Sequence, residues 1–167
     1  LILKINKNYM KAINKRDFLT NNFPELLNNL NSETKANFGL MTPQHMVEHL
    51  IGAIESAAVK YEGERENPVT KQQLGMQQFI KSGCVLSHRP SDKTKADLPP
   101  LKHSSLEEAI SFVPKAVKKF YDFRDTNPDY IPYANYLGEV PFEDVELFQF
   151  MHIQYHLWQF DLIKQYP

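Results

Sequence analysis

The sequence has little cysteine and no long apolar run, and both absences restrict what the protein can be. Cys84 is the single cysteine, so no disulfide can form within the chain, which is typical of a reducing compartment. No stretch of 18 or more apolar residues is present, so the sequence predicts no membrane-spanning helix. The apolar start, residues 1–4, is too short for a signal peptide. We therefore expect a cytoplasmic protein that does not enter a membrane.

An excess of positive charge is also missing. The chain has 19 basic and 20 acidic side chains and a net charge of −1, which gives no electrostatic support for binding nucleic acid. Its 42% hydrophobic and 23% charged residues are ordinary for a globular domain. A length of 167 residues fits one domain covering residues 1–167, in which residues 1–14 are an extension or an incomplete start.

Helical periodicity dominates what is present, and no segment shows convincing strand alternation. Four main helices are predicted, over residues 15–30, 42–61, 104–124 and 141–165, with a weaker one over residues 72–80. Pro24 marks a break or the true start of the first helix, and Pro114 should kink the third main helix. The long stretch of residues 82–103 is either a functional lid or a wrapped segment. The predicted fold is all-α, with four antiparallel helices, an extra short helix and long loops.

Four of the six histidines form two His-x-x-x-His pairs, His45 with His49 and His152 with His156. A spacing of four places both imidazoles of a pair on one helix face, where both can reach one ion. The pair in the last helix lies on a stripe of otherwise mainly apolar residues, where burying two imidazoles is costly unless something satisfies them. A metal ion would do so. The alternative is that these histidines are hydrogen-bonded residues of the core.

The predicted metal ligands are His49 from one helix and His152 and His156 from another. Gly52 and Ser56 share the face of His49, and small residues there leave volume for a water molecule or a substrate. Three protein ligands leave one coordination position open, which is typical of a catalytic ion. Zinc, nickel, iron and manganese are all candidates for this divalent metal.

The other polar residues near these helices are assigned weaker roles. We expect His45 to be a surface or neighbouring residue rather than a fourth ligand, and His88 and His103 to be solvated in a proline-rich loop. Gln159 either orients a ligand, binds substrate or is a satisfied core amide. Glu48 is a candidate base, but its helical angle points it away from the ligand beside it.

Three stretches of the chain carry a resemblance to a known family. They are Phe38-Gly39-Leu40-Met41-Thr42-Pro43-Gln44-His45-Met46-Val47-Glu48-His49-Leu50, Leu98-Pro99-Pro100-Leu101, and Tyr136-Leu137-Gly138-Glu139-Val140 followed by His152-Ile153-Gln154-Tyr155-His156-Leu157-Trp158-Gln159-Phe160. With them, the chain from about residue 17 onward resembles the DinB/YfiT-like superfamily of metalloenzymes, in a branch of unassigned function. Tyr155 stands where the family usually has His, at a position that is not expected to bind metal. Ala134-Asn135 replaces a usual His-Pro, and Trp158 replaces a basic residue.

The resemblance implies an up-down-down-up four-helix bundle, often a homodimer, with His49, His152 and His156 as metal ligands. It also implies a metal-dependent enzyme that acts on a small molecule, as a transferase using a low-molecular-weight thiol or as a hydrolase. The metal would lower the pKa of a thiol or of water. The alternative function is a non-catalytic metal-binding or stress-related module.

Overall fold

The fold, seen in a computed structural model that describes residues 13–87 and 94–164, is mostly helical. This confirms the predicted all-α class. The predictions made for residues 1–12, His88 and residue 165 lie outside the described residues. Within the two described ranges, none of the helices combines the length and the apolar character that crossing a membrane requires.

The first helix, α1, changes its winding along its length. It is α-helical over Lys15–Asp17, π-helical over Phe18–Asn22 and α-helical again over Phe23–Leu27. Pro24 has no N–H to donate and its ring crowds the carbonyl four residues earlier, so a wider turn before it relieves the clash. The predicted break at Pro24 is thus a change of winding within a continuous helix. The helix ends at Leu27, three residues before the predicted end.

An N-cap residue fixes the start of each of the helices α2 and α3. Helix α2 covers Pro43–Ser56, and the Thr42 side chain accepts a hydrogen bond from the third amide of the helix. It ends five residues before the predicted boundary. Helix α3 covers Lys71–Lys81 and begins with a capping box between Thr70 and Gln73. The prediction of a short extra helix here is confirmed.

Helix α4 covers Leu106–Thr126 and continues through Pro114. Ser105 caps it by accepting a hydrogen bond from the amide of Glu108. A hairpin of two short strands follows, in which β1 (Tyr133–Ala134) pairs antiparallel with β2 (Gly138–Glu139). These strands are too short to produce an alternating pattern, which is why the sequence did not predict them.

Helix α5 covers Phe142–Gln159 and is buried on most of its circumference. It contacts α2 and α3, while α4 packs against α2 and α1. The largest fully buried side chains of the core come from all five helices and the adjoining loops, and include Phe23, Met46, Leu50, Ile80, Phe120, Phe150, Ile153, Leu157 and Phe160. The two helices that carry the predicted ligands therefore lie side by side within the core.

The end of α5 differs from the prediction by six residues. Asp161 adopts a left-handed backbone conformation (φ 58°), the amide of Leu162 donates to the carbonyl of Leu157 (2.8 Å), and the amide of Asp161 donates to Trp158 (3.0 Å). These bonds form a Schellman motif that satisfies the last carbonyls and turns the chain away. The periodic apolar residues after 159 pack as a loop instead.

Candidate metal centre

The three predicted ligands meet at one point between α2 and α5. His49 lies in the second turn of α2, and His152 and His156 lie in the last two turns of α5. Nε2 of His152 lies 2.9 Å from Nε2 of His49 and 3.1 Å from Nε2 of His156. All three ligand atoms lie within 4.8 Å of one another. The predicted convergence of these side chains is confirmed.

These short nitrogen–nitrogen contacts cannot all be hydrogen bonds between neutral rings. Both contacts share Nε2 of His152, which in a neutral ring offers either one N–H or one lone pair, and neither can point along both lines. At most one of the two contacts can therefore be a well-directed hydrogen bond. A cation that accepts a lone pair from each ring removes this conflict.

The donor set and its spacing fit a divalent metal. Imidazole suits zinc, copper, iron and nickel. Two nitrogens bound to one zinc at about 2.0–2.1 Å with tetrahedral angles lie about 3.3 Å apart. The observed 2.9 and 3.1 Å are a few tenths of an ångström shorter. The third pair, His49 and His156, is bounded only by the 4.8 Å within which all three atoms lie. A small adjustment of all three rings would accommodate an ion.

Gln159 fixes the orientation of His156, the most buried of the three histidines. Its Oε1 lies 2.7 Å from Nδ1 of His156, and its Nε2 donates to the carbonyl of Phe38 at 2.7 Å. An amide oxygen only accepts, so Nδ1 of His156 must carry the hydrogen and Nε2 keeps its lone pair toward the other two rings. Metal-binding histidines are held by this kind of outer hydrogen bond. Of the roles considered for Gln159, orienting a ligand is the one that these contacts match.

A glycine next to Phe38 allows this contact. Gly39 has a φ of +82°, and a Cβ at this position would lie 2.8 Å from Nε2 of Gln159. The amide of Asn37 also donates to the Gln159 carbonyl at 2.8 Å. The segment before α2 is thus joined directly to the end of α5. Only a residue without a side chain fits this close approach.

Burial keeps all three imidazoles neutral near pH 7. Burial lowers the pKa of His156 to about 4, despite the opposing effect of the hydrogen bond that it donates to Gln159. Burial, and then the charges of the neighbouring imidazoles, hold the pKa of His152 well below its usual value. Part of His49 reaches solvent, but its ring packs against the other two, and the resulting desolvation lowers its pKa as well. Neutral rings offer the lone pairs that a metal requires.

His152 is held less completely than His156. Its Nδ1 is buried and has no hydrogen-bond partner among the described residues, and the same is true of Oε1 of Gln149 one turn earlier. The amide nitrogen of Gln149 donates to the carbonyl of Ala53 (2.9 Å), which ties α5 to α2 beside the site. The ring of His152 stacks on Phe148, with centroids 5.7 Å apart. Packing, rather than a hydrogen bond to Nδ1, therefore orients this ring.

A cavity of about 990 Å³ opens over the imidazoles. Its walls come from α2, α5 and two loops, and the lining includes Gly39, Leu40, Met41, His45, Glu48, His49, Gly52, Ala53, Ser56, Thr94, Asp97, Leu98, Pro99, Pro100, Lys102, Tyr155, His156 and Gln159. A Cβ added to Gly52 would meet no described atom within 4 Å. The volume that the small residues of α2 predicted beside His49 is present.

The long stretch of residues 82–103 forms one wall of this cavity in its described second half. Glu48 holds that wall, because its carboxylate accepts from the amides of Lys102 (2.7 Å) and His103 (3.1 Å). Burial alone would raise the pKa of the Glu48 carboxyl, but these bonds and one from Gln44 lower it below its usual value. Glu48 is thus an anchor for the loop, which agrees with the prediction that it points away from its neighbouring ligand.

His45 and His103 lie outside the cluster of three. Nδ1 of His45 lies 2.7 Å from Oγ1 of Thr42, and its ring lines the cavity as the expected neighbouring residue. The prediction that His103 is solvated is wrong. Its ring packs edge-on against Phe112, with centroids 4.6 Å apart, and its Nε2 is buried.

The positions that depart from the family pattern have identifiable contacts. Tyr155 lines the cavity and packs against Phe38 (5.6 Å between centroids), and Trp158 packs against the same ring (5.1 Å). Oδ1 of Asn135 accepts a hydrogen bond from Tyr61 (2.7 Å) at a distance from the cavity lining.

Sequence reasoning missed the wall formed by Thr94, Asp97 and Leu98–Pro100 and the role of Gly39. The wall has no periodic signal, since its place depends on a carboxylate more than 50 residues away. Gly39 was detectable only as a lone glycine before an N-cap. No protein-family model, curated protein or solved structure matches this chain.

Proposed function

We propose that this protein is a metal-dependent enzyme that holds one divalent ion with His49, His152 and His156. The observation that carries the proposal is the convergence of three neutral Nε2 atoms, which cannot all be satisfied by one another. The resemblance to the DinB/YfiT-like superfamily supports the same ligands. On that basis we also propose that the main helices form the four-helix bundle of that superfamily and that the chain forms a homodimer.

The chemistry that such an ion supplies is acidification of a thiol or a water molecule in its open coordination position. The chain's own part is to hold the ion and to shape the space over it. Gln159 fixes the tautomer of His156, and the small residues of α2 leave room for a substrate. Residues 98–100 give the cavity an apolar section of wall. We propose a small-molecule substrate, and thiol transfer or hydrolysis as the reaction.

A second candidate function is a non-catalytic metal-binding module. It is favoured by the hydrogen bonds that already occupy the carboxylates of the cavity. Two described carboxylates line the cavity, and both are occupied: Glu48 binds two amides, and Asp97 accepts from the amide (2.6 Å) and hydroxyl (2.9 Å) of Thr94. Neither is free to accept a proton from a substrate. An enzyme at this site would have to rely on the ion and on imidazoles for proton transfer.

The metal content of untagged protein tests the site. We expect about one zinc, nickel, iron or manganese ion per chain by elemental analysis, and a rise in melting temperature when the metal is added to chelator-treated protein. His152→Ala should lose both. The control is His103→Gln, which removes a half-buried imidazole outside the cluster and should retain both. Wild-type protein without metal and without metal-dependent stabilisation would rule out the site.

Catalysis needs a separate assay. Thiol conjugation to an electrophile and hydrolysis of an activated ester should be measured with metal-loaded wild type, His152→Ala and His103→Gln. If the centre is catalytic, His152→Ala should lose activity and His103→Gln should keep it. Equal turnover in all three proteins would exclude catalysis at this centre, and full metal content without turnover would favour the binding module.

A further inference from the structure

Two neighbouring polar atoms beside the metal centre are buried without a partner. Oε1 of Gln149 and Nδ1 of His152 have no hydrogen-bond partner among the described residues, although Gln149 is only 1% exposed. Buried polar atoms are paired in nearly all folded proteins, so two unpaired atoms on one helix face are unusual. Residues three apart share a face, and helical side chains lean toward the N-terminus. The ring of His152 therefore extends toward the turn that carries Gln149, where it stacks on Phe148.

The orientation of the Gln149 amide is fixed by α2. Its Nε2 donates to the carbonyl of Ala53 at 2.9 Å, and a carbonyl only accepts, so the other end of the amide must be the oxygen. Ala53 lies one turn after His49 on α2, so this bond holds Gln149 between the two helices that carry the ligands. Oε1 of Gln149 is therefore a fixed acceptor to which no described residue donates.

The contacts of His152 favour the tautomer with its hydrogen on Nε2. Nε2 of His156 presents a lone pair, because Nδ1 of that ring donates to Gln159. Nε2 of His152 lies 3.1 Å away, and only a hydrogen on it avoids two lone pairs that face each other. A neutral ring carries one hydrogen, so Nδ1 of His152 then has a lone pair. Nδ1 and Oε1 of Gln149 are both acceptors in this state, which accounts for the lack of a bond between them.

We infer that Gln149 is a positioning residue for His152, which accepts a hydrogen bond from Nδ1 when Nε2 binds the ion. This inference rests on the proposed function, since it concerns the same three ligands. When Nε2 gives its lone pair to the ion, its proton leaves to solvent and another proton binds Nδ1, so the ring stays neutral. Nδ1 is then a donor beside the fixed acceptor of Gln149. Each ligand of α5 has a glutamine three residues away for this purpose, Gln149 for His152 and Gln159 for His156.

Long-range proton–nitrogen NMR of protein with isotope-labelled histidines tests the inference, because it identifies the ring nitrogen that carries the hydrogen. In chelator-treated wild type we expect the hydrogen of His152 on Nε2. After zinc is added to saturation, we expect it on Nδ1. The Nδ1 hydrogen should then give a downfield signal that exchanges slowly with water, because it is buried and hydrogen-bonded. The spectrum of His152→Ala assigns the signals.

Variants at position 149 separate the acceptor from the bond to Ala53. Gln149→Leu removes both, so zinc affinity in competition with a chromophoric chelator should fall about 10–100-fold, and the Nδ1 signal should move upfield and exchange faster. Gln149→Glu keeps an acceptor but cannot donate to Ala53, and it should restore both readouts. Because its charge also attracts the ion, the Nδ1 signal is the decisive readout for this variant. Gln154→Leu, at another buried glutamine of α5, should behave like wild type.

The inference is overturned if His152 keeps its hydrogen on the same nitrogen with and without zinc. It is also overturned if Gln149→Leu, shown to be folded by circular dichroism, retains the zinc affinity or the Nδ1 signal of wild type. Zinc still binds wild type in these outcomes, so they leave the proposed metal centre in place. Wild type that binds no zinc would instead reject the metal centre, and this inference with it. The comparison of the two wild-type spectra decides the question even if a variant does not fold.

Discussion

Replacing Gln159 with leucine tests whether Gln159 orients the ring of His156, because the substitution leaves that imidazole in the protein. The substitution removes the acceptor 2.7 Å from Nδ1 of His156 and the donor 2.7 Å from the Phe38 carbonyl, while it keeps a side chain of similar size. Gln159 and His156 are only 4% and 5% exposed, so water cannot readily replace either partner. The ring then has a buried N–H without a partner, or it moves its hydrogen to Nε2 and loses the lone pair that would bind metal.

Both outcomes have measurable sizes. Leaving a buried donor unpaired costs about 1–3 kcal/mol, which should lower the free energy of unfolding of metal-free protein by that amount. At about 2–4 °C per kcal/mol for a domain of this size, the melting temperature should fall by roughly 2–12 °C. Loss of an outer partner of a metal-bound histidine weakens metal affinity about 10–100-fold. Urea titration in chelator and competition with a chromophoric chelator measure the two quantities.

Two further variants isolate the cause. Gln154→Leu makes the same change at another buried glutamine of α5, outside the metal cluster, and should leave metal affinity unchanged. Gln159→Glu keeps an acceptor for His156 but cannot donate to Phe38, so it should destabilise the metal-free protein while it retains metal binding. If Gln159→Leu binds metal as tightly as wild type, then Gln159 does not orient the ligand and the tautomer argument is wrong.

Three other outcomes follow from the same geometry. Because the pKa of His156 is about 4 in the folded protein, the unfolded chain takes up a proton between pH 6.5 and 4 that the folded chain does not bind. Metal-free protein should therefore lose about 3 kcal/mol of stability over this interval. Urea midpoints that stay constant across it would contradict the burial of a neutral ring. Gly39→Ala places a Cβ 2.8 Å from Gln159 on a residue with a left-handed backbone, so we expect about 1–2 kcal/mol of destabilisation and weaker metal binding. Unchanged chelator competition would show that the His156 ring is held without the contact between Gln159 and Phe38. Glu48→Gln weakens the anchor of the cavity wall, so the amide of Lys102 should exchange hydrogen faster, while metal affinity changes little. Mass spectrometry measures the exchange, and equal rates in both proteins would mean that other contacts hold the loop.

The sequence was sufficient to predict that these three histidines converge because their signal is local. A spacing of four on a helix puts His152 and His156 on one face whatever the rest of the chain does, and the apolar stripe shows that this face is buried. Pairing that face with His49 required only that two apolar faces meet. The class of the fold follows from the same periodicity.

The features that the sequence did not reveal depend on contacts between distant residues. Gln159 reaches a carbonyl 121 positions away, and Glu48 holds amides more than 50 positions away. Neither contact changes the local pattern of apolar and polar residues. The early end of α5 depends on a left-handed Asp161, a conformation that asparagine and aspartate adopt only occasionally. Boundaries and walls of this kind require the folded structure.

The three imidazoles differ in how firmly they are held, and this difference orients the site. His156 is buried and bonded to Gln159, His152 is held by packing, and His49 is the most exposed of the three. Both His49 and His156 line the cavity, so an ion held by these rings would be accessible from that side. A molecule that entered over Gly52 would approach the rings from there. The same order implies that His49 would yield first if a ligand had to move, because least structure opposes its motion.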